Sequence, residues 1–313
     1  MSSLRLVFMG TPAFAVPSLE LLLQHGYDIA AVVTAPDKPQ GRGQKINPSP
    51  IKCVAAAHHL PVLQPTDLKS PAFLTTLRRY QANLQVVVAF RMLPRAVWDM
   101  PTLGTLNLHA SLLPQYRGAA PINWAIIHGE QETGVTTFFI EETMDTGHIL
   151  LQEKTYIDPQ DTAGTLHDRL KHQGAQVVLK TVQAIEQGNY TTHVQPSMPP
   201  HLLRKAPKLC QEACRIDWKQ DAAVILNFIR GLAPHPGAWT IQQGNRTKIL
   251  AAKQVEGPNL KPGAIRSDGK HYLHVGTQSG LLAIEQLKPA GKKLMDIQAF
   301  LQGHRLPTHT ELG

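Results

Sequence analysis

The chain has 313 residues, 42% of them hydrophobic and 17% charged, which fits a globular protein with a real core in one large domain or two. No apolar run approaches the ~18 residues of a membrane span, and three cysteines (Cys53, Cys210 and Cys214) are too few and too scattered for a disulfide framework. The net charge of +8 is uneven, with 17 Lys and Arg against 15 Asp and Glu over residues 1–206 but 14 against 8 over residues 207–313, so the basic last third is either a plain solvated surface or a face for an anionic partner, nucleic acid first.

The opening Met1-Ser2-Ser3-Leu4-Arg5 runs straight into a strand and lacks a signal-peptide core. With the cysteine usage, this makes a reducing cytoplasm the expected compartment. Residues 4–9 form a buried strand that ends at Gly10-Thr11-Pro12. A helix follows over 17–24 through Leu19, Leu22 and Leu23, then a second buried strand over 29–34. Strand, helix and strand with short joins predict a parallel βαβ unit. Residues 85–90 and 105–109 are two more apolar strands, with further candidates at 136–140 and 149–157. Between Thr162 and Gln187, Leu166, Leu170, Val177, Val178, Val182 and Ile185 fall near helical spacing. Thr162 is a plausible N-cap and Gly188 a stop.

The character then changes. Pro196, Pro199, Pro200 and Pro207 crowd a polar stretch with little periodicity, which predicts a linker. The predicted division is a domain over 1–190, a linker over 191–208 and a second domain over 209–313. The second begins with a helix over 222–230. Five short strand runs follow, at 238–242, 248–255, 263–267, 271–275 and 281–287, and they predict a small barrel. Cys210 and Cys214 are four apart, but no partner pair lies nearby to complete a metal site.

The chemistry concentrates at Leu106-Asn107-Leu108-His109-Ala110-Ser111-Leu112-Leu113-Pro114. Side chains on a strand repeat with period two, so Asn107 and His109 share one face. The strand opens into a loop at Pro114, and open parallel sheets gather their sites at the carboxyl ends of strands. Met144-Asp145-Thr146-Gly147 is a second candidate, with Asp145 on a turn. A carboxylate near an imidazole orients it and favours its protonated form. A carboxamide can donate to a developing oxyanion. No Ser or Cys sits at a nucleophile elbow, which argues for direct attack by an external nucleophile rather than an acyl-enzyme. Each residue also has a plainer reading: a solvated or capping His, a turn-forming Asn, a turn Asp. Loop 37–45 places Lys38, Arg42 and Lys45 among Gly41, Gly43 and Pro39. It is a basic finger able to fork onto phosphate, or a solvated loop.

The string 106–122, with its companion Met144-Asp145-Thr146-Gly147, resembles the signature of the folate-dependent formyltransferases. Flanking segments are similar to the branch of that family that acts on an aminoacylated tRNA. They are Phe8-Met9-Gly10-Thr11-Pro12-Ala13-Phe14, the loop 36–45, Cys214-Arg215-Ile216-Asp217-Trp218 and Leu287-Lys288-Pro289-Ala290-Gly291-Lys292-Lys293. The resemblance covers nearly the whole chain in order. It implies a Rossmann-like, mostly parallel α/β domain followed by an OB-like β-barrel that binds tRNA.

It further implies Asn107, His109 and Asp145 as the catalytic triad. Ser111, Leu112, Leu113 and Pro114 become contacts to tetrahydrofolate, with Phe90, Arg91 and Met92 and the loop 141–145 lining the pterin pocket. Arg42, with Lys38 and Lys45, enters the acceptor stem. The implied reaction moves a formyl group from 10-formyltetrahydrofolate, as cosubstrate, to the α-amino group of methionine on initiator tRNA. Asn107 and protonated His109 would hold the oxyanion, Asp145 would orient the ring, and no metal is required. The expected protein is a monomer that contacts no membrane. Within the fold the alternative is a formyltransferase for a sugar nucleotide or a purine-pathway ribonucleotide; outside enzymes it is an RNA-binding protein with a vestigial pocket. Two positions depart from the commonest pattern: Phe90-Arg91 where many members have Tyr-Gly, and Ala13 where an acidic residue is common. If that glycine served a positive φ, Arg91 would be strained.

Overall fold

The computed structural model describes residues 4–40, 45–304 and 312. In chain order its elements begin β1 (Arg5–Gly10), α1 (Val16–Gln24), β2 (Asp28–Val33), β3 (Lys38–Gln40), β4 (Lys45–Asn47), α2 (Pro50–Ala57) and β5 (Val62–Leu63). They continue α3 (Pro71–Arg79), β6 (Leu84–Val88), α4 (Arg95–Trp98), β7 (Thr105–His109), β8 (Arg117–Gly118), α5 (Pro121–Ile127), β9 (Glu132–Phe139), β10 (Ile149–Tyr156), α6 (Ala163–Glu186) and β11 (Lys205–Ala206). Last come α7 (Ala222–Leu232), β12 (Ala238–Gln242), β13 (Asn245–Val255), β14 (Ile265–Ser267), β15 (Leu273–Gly276), β16 (Leu281–Pro289), β17 (Met295–Asp296) and α8 (Ile297–Gly303). Two compact units result. The first holds residues 1–118, 134–155 and 167–205, and the second holds 119–133, 156–166 and 206–313.

The first unit is built on a seven-stranded sheet of order β10-β9-β7-β6-β1-β2-β5. The pairs β1–β2, β1–β6, β2–β5 and β6–β7 are parallel, and β9 runs antiparallel to β7. This is the Rossmann-like, mostly parallel sheet expected. Leu6, Val7, Phe8 and Met9 of β1 are all fully buried, as a central parallel strand covered on both faces requires. One face carries Val7, Met9, Ala31, Val33 and Val87, which pack with Phe73 and Leu77 of α3 and Val97 of α4. On β7, Leu108 meets Gly174 of α6, where a Cβ would lie 2.6 Å from the leucine Cδ2. The tight seat of α6 on the leucine side directs the alternate residues of β7, Asn107 and His109, to the other face.

Several predicted bounds move for physical reasons. The strand expected over 85–90 stops at Val88, because Ala89 takes φ 49° and leaves the sheet. The strand expected from 136 begins at Glu132. The short helices α2, α3 and α5 were not expected; each begins with Pro at N1 or N2. Ser49 caps α2 by accepting the Lys52 amide at 3.1 Å. Thr162 does cap α6, in a reciprocal pair with Thr165.

In the second unit β12–β17 form one antiparallel sheet of order β12-β13-β16-β15-β14, with β17 beside β16. It carries the five strand runs expected of the OB-like domain. Gln243 (φ 48°) and Gly244 (φ 75°) make the two-residue turn of the β12–β13 hairpin. Trp218, Ile225, Ile229, Trp239, Val275, Ile284 and Phe300 fill the core. Among the described residues no helix is long and apolar enough to cross a membrane.

Candidate active site

Asn107 and His109 stand on β7, paired to β6 on one side and to β9 on the other, where His109 lies opposite Thr136. His109 is only 7% exposed. Its Nε2 lies 2.9 Å from the Tyr116 carbonyl oxygen, and its Nδ1 lies 3.9 Å from Oδ2 of Asp145. The second distance is an ion-pair approach, beyond hydrogen-bond reach. Among the described residues the Asn107 carboxamide has no hydrogen-bond partner within the protein, although it is half-buried.

Asp145 is delivered by a turn after β9. It sits at φ 57°, a left-handed conformation that Asp tolerates better than most residues. The Gly118 amide donates to its Oδ2 at 2.8 Å, and among the described residues Oδ1 has no hydrogen-bond partner. Gly147 admits no side chain, because a Cβ there would lie 1.7 Å from the Phe139 carbonyl oxygen. The Asp-Thr-Gly turn can therefore lie flat against the end of β9. Burial lowers the pKa of the Arg117 guanidinium from its ordinary value, and the Asp145 carboxylate acts in the opposite sense.

The segment 111–114 is wired internally. Ser111 Oγ donates to the Gln115 carbonyl at 2.6 Å. Thr136 Oγ1 donates to the Ser111 carbonyl and accepts the Leu113 amide, and Gln152 Nε2 donates to the Leu113 carbonyl at 2.9 Å. The polar groups of Ser111 and Leu113 thus hold the loop's shape, and the half-buried Leu112 is its more accessible side chain. After β6, Phe90 packs on the core cluster that Ile140 also joins. Arg91 donates to the carbonyls of Pro65 and Thr66 and lies over the Phe90 ring at 5.6 Å. The residue with positive φ here is Ala89, so Arg91 is free of the strain expected of it. Met92 is 70% exposed.

Lys38 and Lys45 lie on the antiparallel β3–β4 hairpin, and Arg42 lies outside the described residues. Three residues the sequence did not single out complete the site: Tyr116 on His109, and Gly118 and Gln195 on the Asp145 turn. The first two lie inside the quoted string, but nothing local marks a carbonyl or an amide as a partner. Among the described residues no group of three or more His, Cys, Asp or Glu could hold a metal ion. Cys214 is buried, its Sγ donating to the Cys210 carbonyl.

Two family models match the chain, "Formyl transferase" over residues 4–182 and "Formyl transferase, C-terminal domain" over residues 208–305. The methionyl-tRNA formyltransferase of Bacteroides fragilis is 47% identical over 310 residues, covering 97% of this chain and 96% of that protein. The chain belongs to the methionyl-tRNA formyltransferase family. The namesake from Flavobacterium johnsoniae is likewise 47% identical, over 97% of both chains. Solved structures share the fold of this family member at lower identity. HypX from Aquifex aeolicus in complex with tetrahydrofolic acid aligns with TM-score 0.67 at 19% identity, over 96% of this chain and 47% of that one. WlaRD, a sugar 3N-formyl transferase, aligns with TM-score 0.66 at 20% identity, over 94% of this chain and all of that one.

Proposed function

We propose that this protein transfers the formyl group of 10-formyltetrahydrofolate to the α-amino group of methionine esterified to initiator tRNA, for translation initiation. The observation that carries the reading is the grouping of Asn107, His109 and Asp145 around one strand end, in a chain 47% identical over 97% of its length to a methionyl-tRNA formyltransferase. The catalytic work falls to residues 1–190, acting as a monomer in the cytoplasm. Residues 191–208 link them to a tRNA-binding domain over 209–313, and Arg42, Lys38 and Lys45 meet the acceptor stem.

The donor set fits the folate: an unpaired carboxamide shares a strand face with a buried imidazole. Ser111, Leu112, Leu113, Pro114, Phe90, Arg91 and Met92 would hold it. When bound it supplies a formyl carbon attached to nitrogen, open to attack by an amine. Asn107 then donates its free N–H to an oxygen that gathers negative charge. His109 keeps its Nε2 proton on the Tyr116 carbonyl, so only Nδ1 can serve the reaction. Protonated at Nδ1, the ring is a second donor, with the Asp145 carboxylate 3.9 Å away. The open Oδ1 of Asp145 would accept the proton that the incoming amine loses as its new C–N bond forms, and that proton would pass to the folate nitrogen as the bond between it and the formyl carbon breaks. An unperturbed α-amino group has a pKa of about 7.7–8.0, so a usable fraction arrives neutral.

The second unit supports the choice of substrate. Lys248 of β13 stands directly opposite Lys288 of β16. Like charges so placed repel each other, and an RNA phosphate relieves that repulsion. The deciding experiment incubates the protein with 10-formyltetrahydrofolate and either methionylated initiator tRNA or a nucleotide-linked amino sugar. Formylmethionine is expected. A formylated sugar without formylmethionine would overturn the reading, and so would tRNA binding without any transfer.

A further inference from the structure

The stretch 188–208 offers no periodicity to read, yet Gln195 within it is 7% exposed and fully bonded. Its Nε2 donates to the carbonyls of Asp145 and Gly147, both at 2.9 Å. Its Oε1 accepts from Arg117 Nε at 3.1 Å and from Arg117 Nη2 at 2.6 Å. One carboxamide therefore uses both N–H donors on the turn that carries Asp145 and gives its oxygen to the Arg117 guanidinium.

We infer that Gln195 is a positioning residue for formyl transfer, setting the Asp145 turn and keeping Arg117 off the Asp145 carboxylate. The inference rests on the formyl-transfer reading of the site. Two physical arguments lead to it. First, Asp145 is held at φ 57°, a conformation that needs outside support. Bonds to the carbonyls at 145 and 147 grip the turn on both sides of Thr146. Second, Arg117 precedes Gly118, whose amide already binds Asp145 Oδ2 at 2.8 Å. With nothing between them, the guanidinium would fork onto the carboxylate, as arginine does wherever geometry allows. Oδ1 would then be occupied and a poor proton acceptor. Gln195 takes the fork on its own oxygen, which also strengthens its N–H donors. Among the described residues the charged groups around the turn include His109, Arg117 and Asp145 itself, with Glu142 and the Glu141–His148 pair at its base.

Three variants separate the roles. Gln195→Ala removes every contact, Gln195→Met keeps the volume, and Gln195→Glu keeps an acceptor for Arg117 but donates nothing. Each is assayed for kcat, for KM of both substrates and for thermal stability. The substrate-free protein is also followed by the NMR shift of the Gly118 amide, which donates to Asp145 Oδ2. The expected result is a kcat lower by roughly tenfold to a hundredfold in all three, with both KM values within about twofold. The Gly118 amide resonance should shift as the carboxylate it binds moves or is captured by Arg117. A kcat within twofold of the parent in the Met variant would overturn the inference. So would restoration by Glu, or an unchanged Gly118 amide resonance. Failure of the parent protein to formylate any amine would instead sink the formyl-transfer reading, and the Gly118 amide shift would still judge Gln195.

Discussion

His109 Nε2 lies 2.9 Å from the carbonyl oxygen of Tyr116, and this contact assigns the two ring nitrogens. A carbonyl only accepts, so Nε2 carries the hydrogen and Nδ1 is left to face Asp145. Tyr116 aims its carbonyl by adopting φ 60°, and its own amide donates to the Arg204 carbonyl at 2.7 Å. The neutral ring should therefore be the Nε2–H tautomer. Nitrogen-15 NMR of the neutral ring checks this directly, and a predominant Nδ1–H form would overturn the assignment of the two nitrogens.

Asn107 is the donor with nothing else to do. Its carboxamide has no protein partner among the described residues, so replacing it leaves no buried group unpaired. Asn107→Ala should keep the fold and its thermal stability within about 1 kcal/mol. Losing one oxyanion donor costs about 2.7–4 kcal/mol of transition-state stabilisation, so kcat should fall roughly a hundredfold or more. Steady-state kinetics beside a thermal melt give both numbers. Near-normal turnover would take Asn107 out of the mechanism.

The parts of this site that sequence could reveal were those carried by local pattern. The period-two placement of Asn107 and His109 follows from Leu106 and Leu108, which turn to the α6 side of the sheet where Gly174 receives Leu108. The Asp145 turn showed itself through Gly147, which contact with Phe139 demands. Gln195 showed nothing, because its four bonds run to residues 48 to 78 positions away. The helix α3 was missed although Ser70-Pro71 marks its start. Its apolar face is short, and Phe73 and Leu77 provide only one buried turn. Residues 111–114 were readable as a loop, but their inward wiring through Thr136 and Gln152 was not, since those partners come from β9 and β10.

Gly147→Ala tests the geometry of the turn. A Cβ at 1.7 Å from the Phe139 carbonyl cannot be accommodated by a side-chain shift, because the obstacle is backbone. The turn must move, and Asp145 moves with it. Overpacking of this kind costs about 1–3 kcal/mol of stability. Activity should fall by at least tenfold at temperatures where the variant remains folded. A melt and an assay on the same preparation decide it; an active, equally stable variant would mean the turn adapts.

At the base of the β3–β4 hairpin, Asp37 binds Lys52 and also accepts Gln64 Nε2 at 2.8 Å. The lysine first, then the glutamine, holds its carboxyl below the usual carboxylate range. The folded state thus prefers the ionised form. The stabilisation is complete above the ordinary value of about 3.9 and is lost as pH falls through the lowered one. Asp37→Asn should melt below the parent at neutral pH, and the two curves should converge in acid. If the β3–β4 hairpin meets the acceptor stem as proposed, the same variant should raise KM for tRNA and leave kcat unchanged. Parallel melting curves from neutral to acid pH would deny the ion pair its role.

Lys288 offers a test in which stability and binding move in opposite directions. It stands opposite Lys248 across β16 and β13, and Lys248 Nζ is tied to the Pro236 carbonyl at 2.6 Å. Lys288 is exposed and has no such tether. Lys288→Glu replaces a like-charge pair with an opposite one, which should stabilise the domain by about 0.2–1 kcal/mol. The same change places a negative charge where a phosphate is expected. Affinity for tRNA should fall, and the slope of log affinity against log salt should shrink by roughly one. A thermal melt and a salt series of tRNA binding measure the two effects on one variant. If stability rises while affinity and salt slope stay put, the basic pair belongs to a solvated surface and tRNA is held elsewhere.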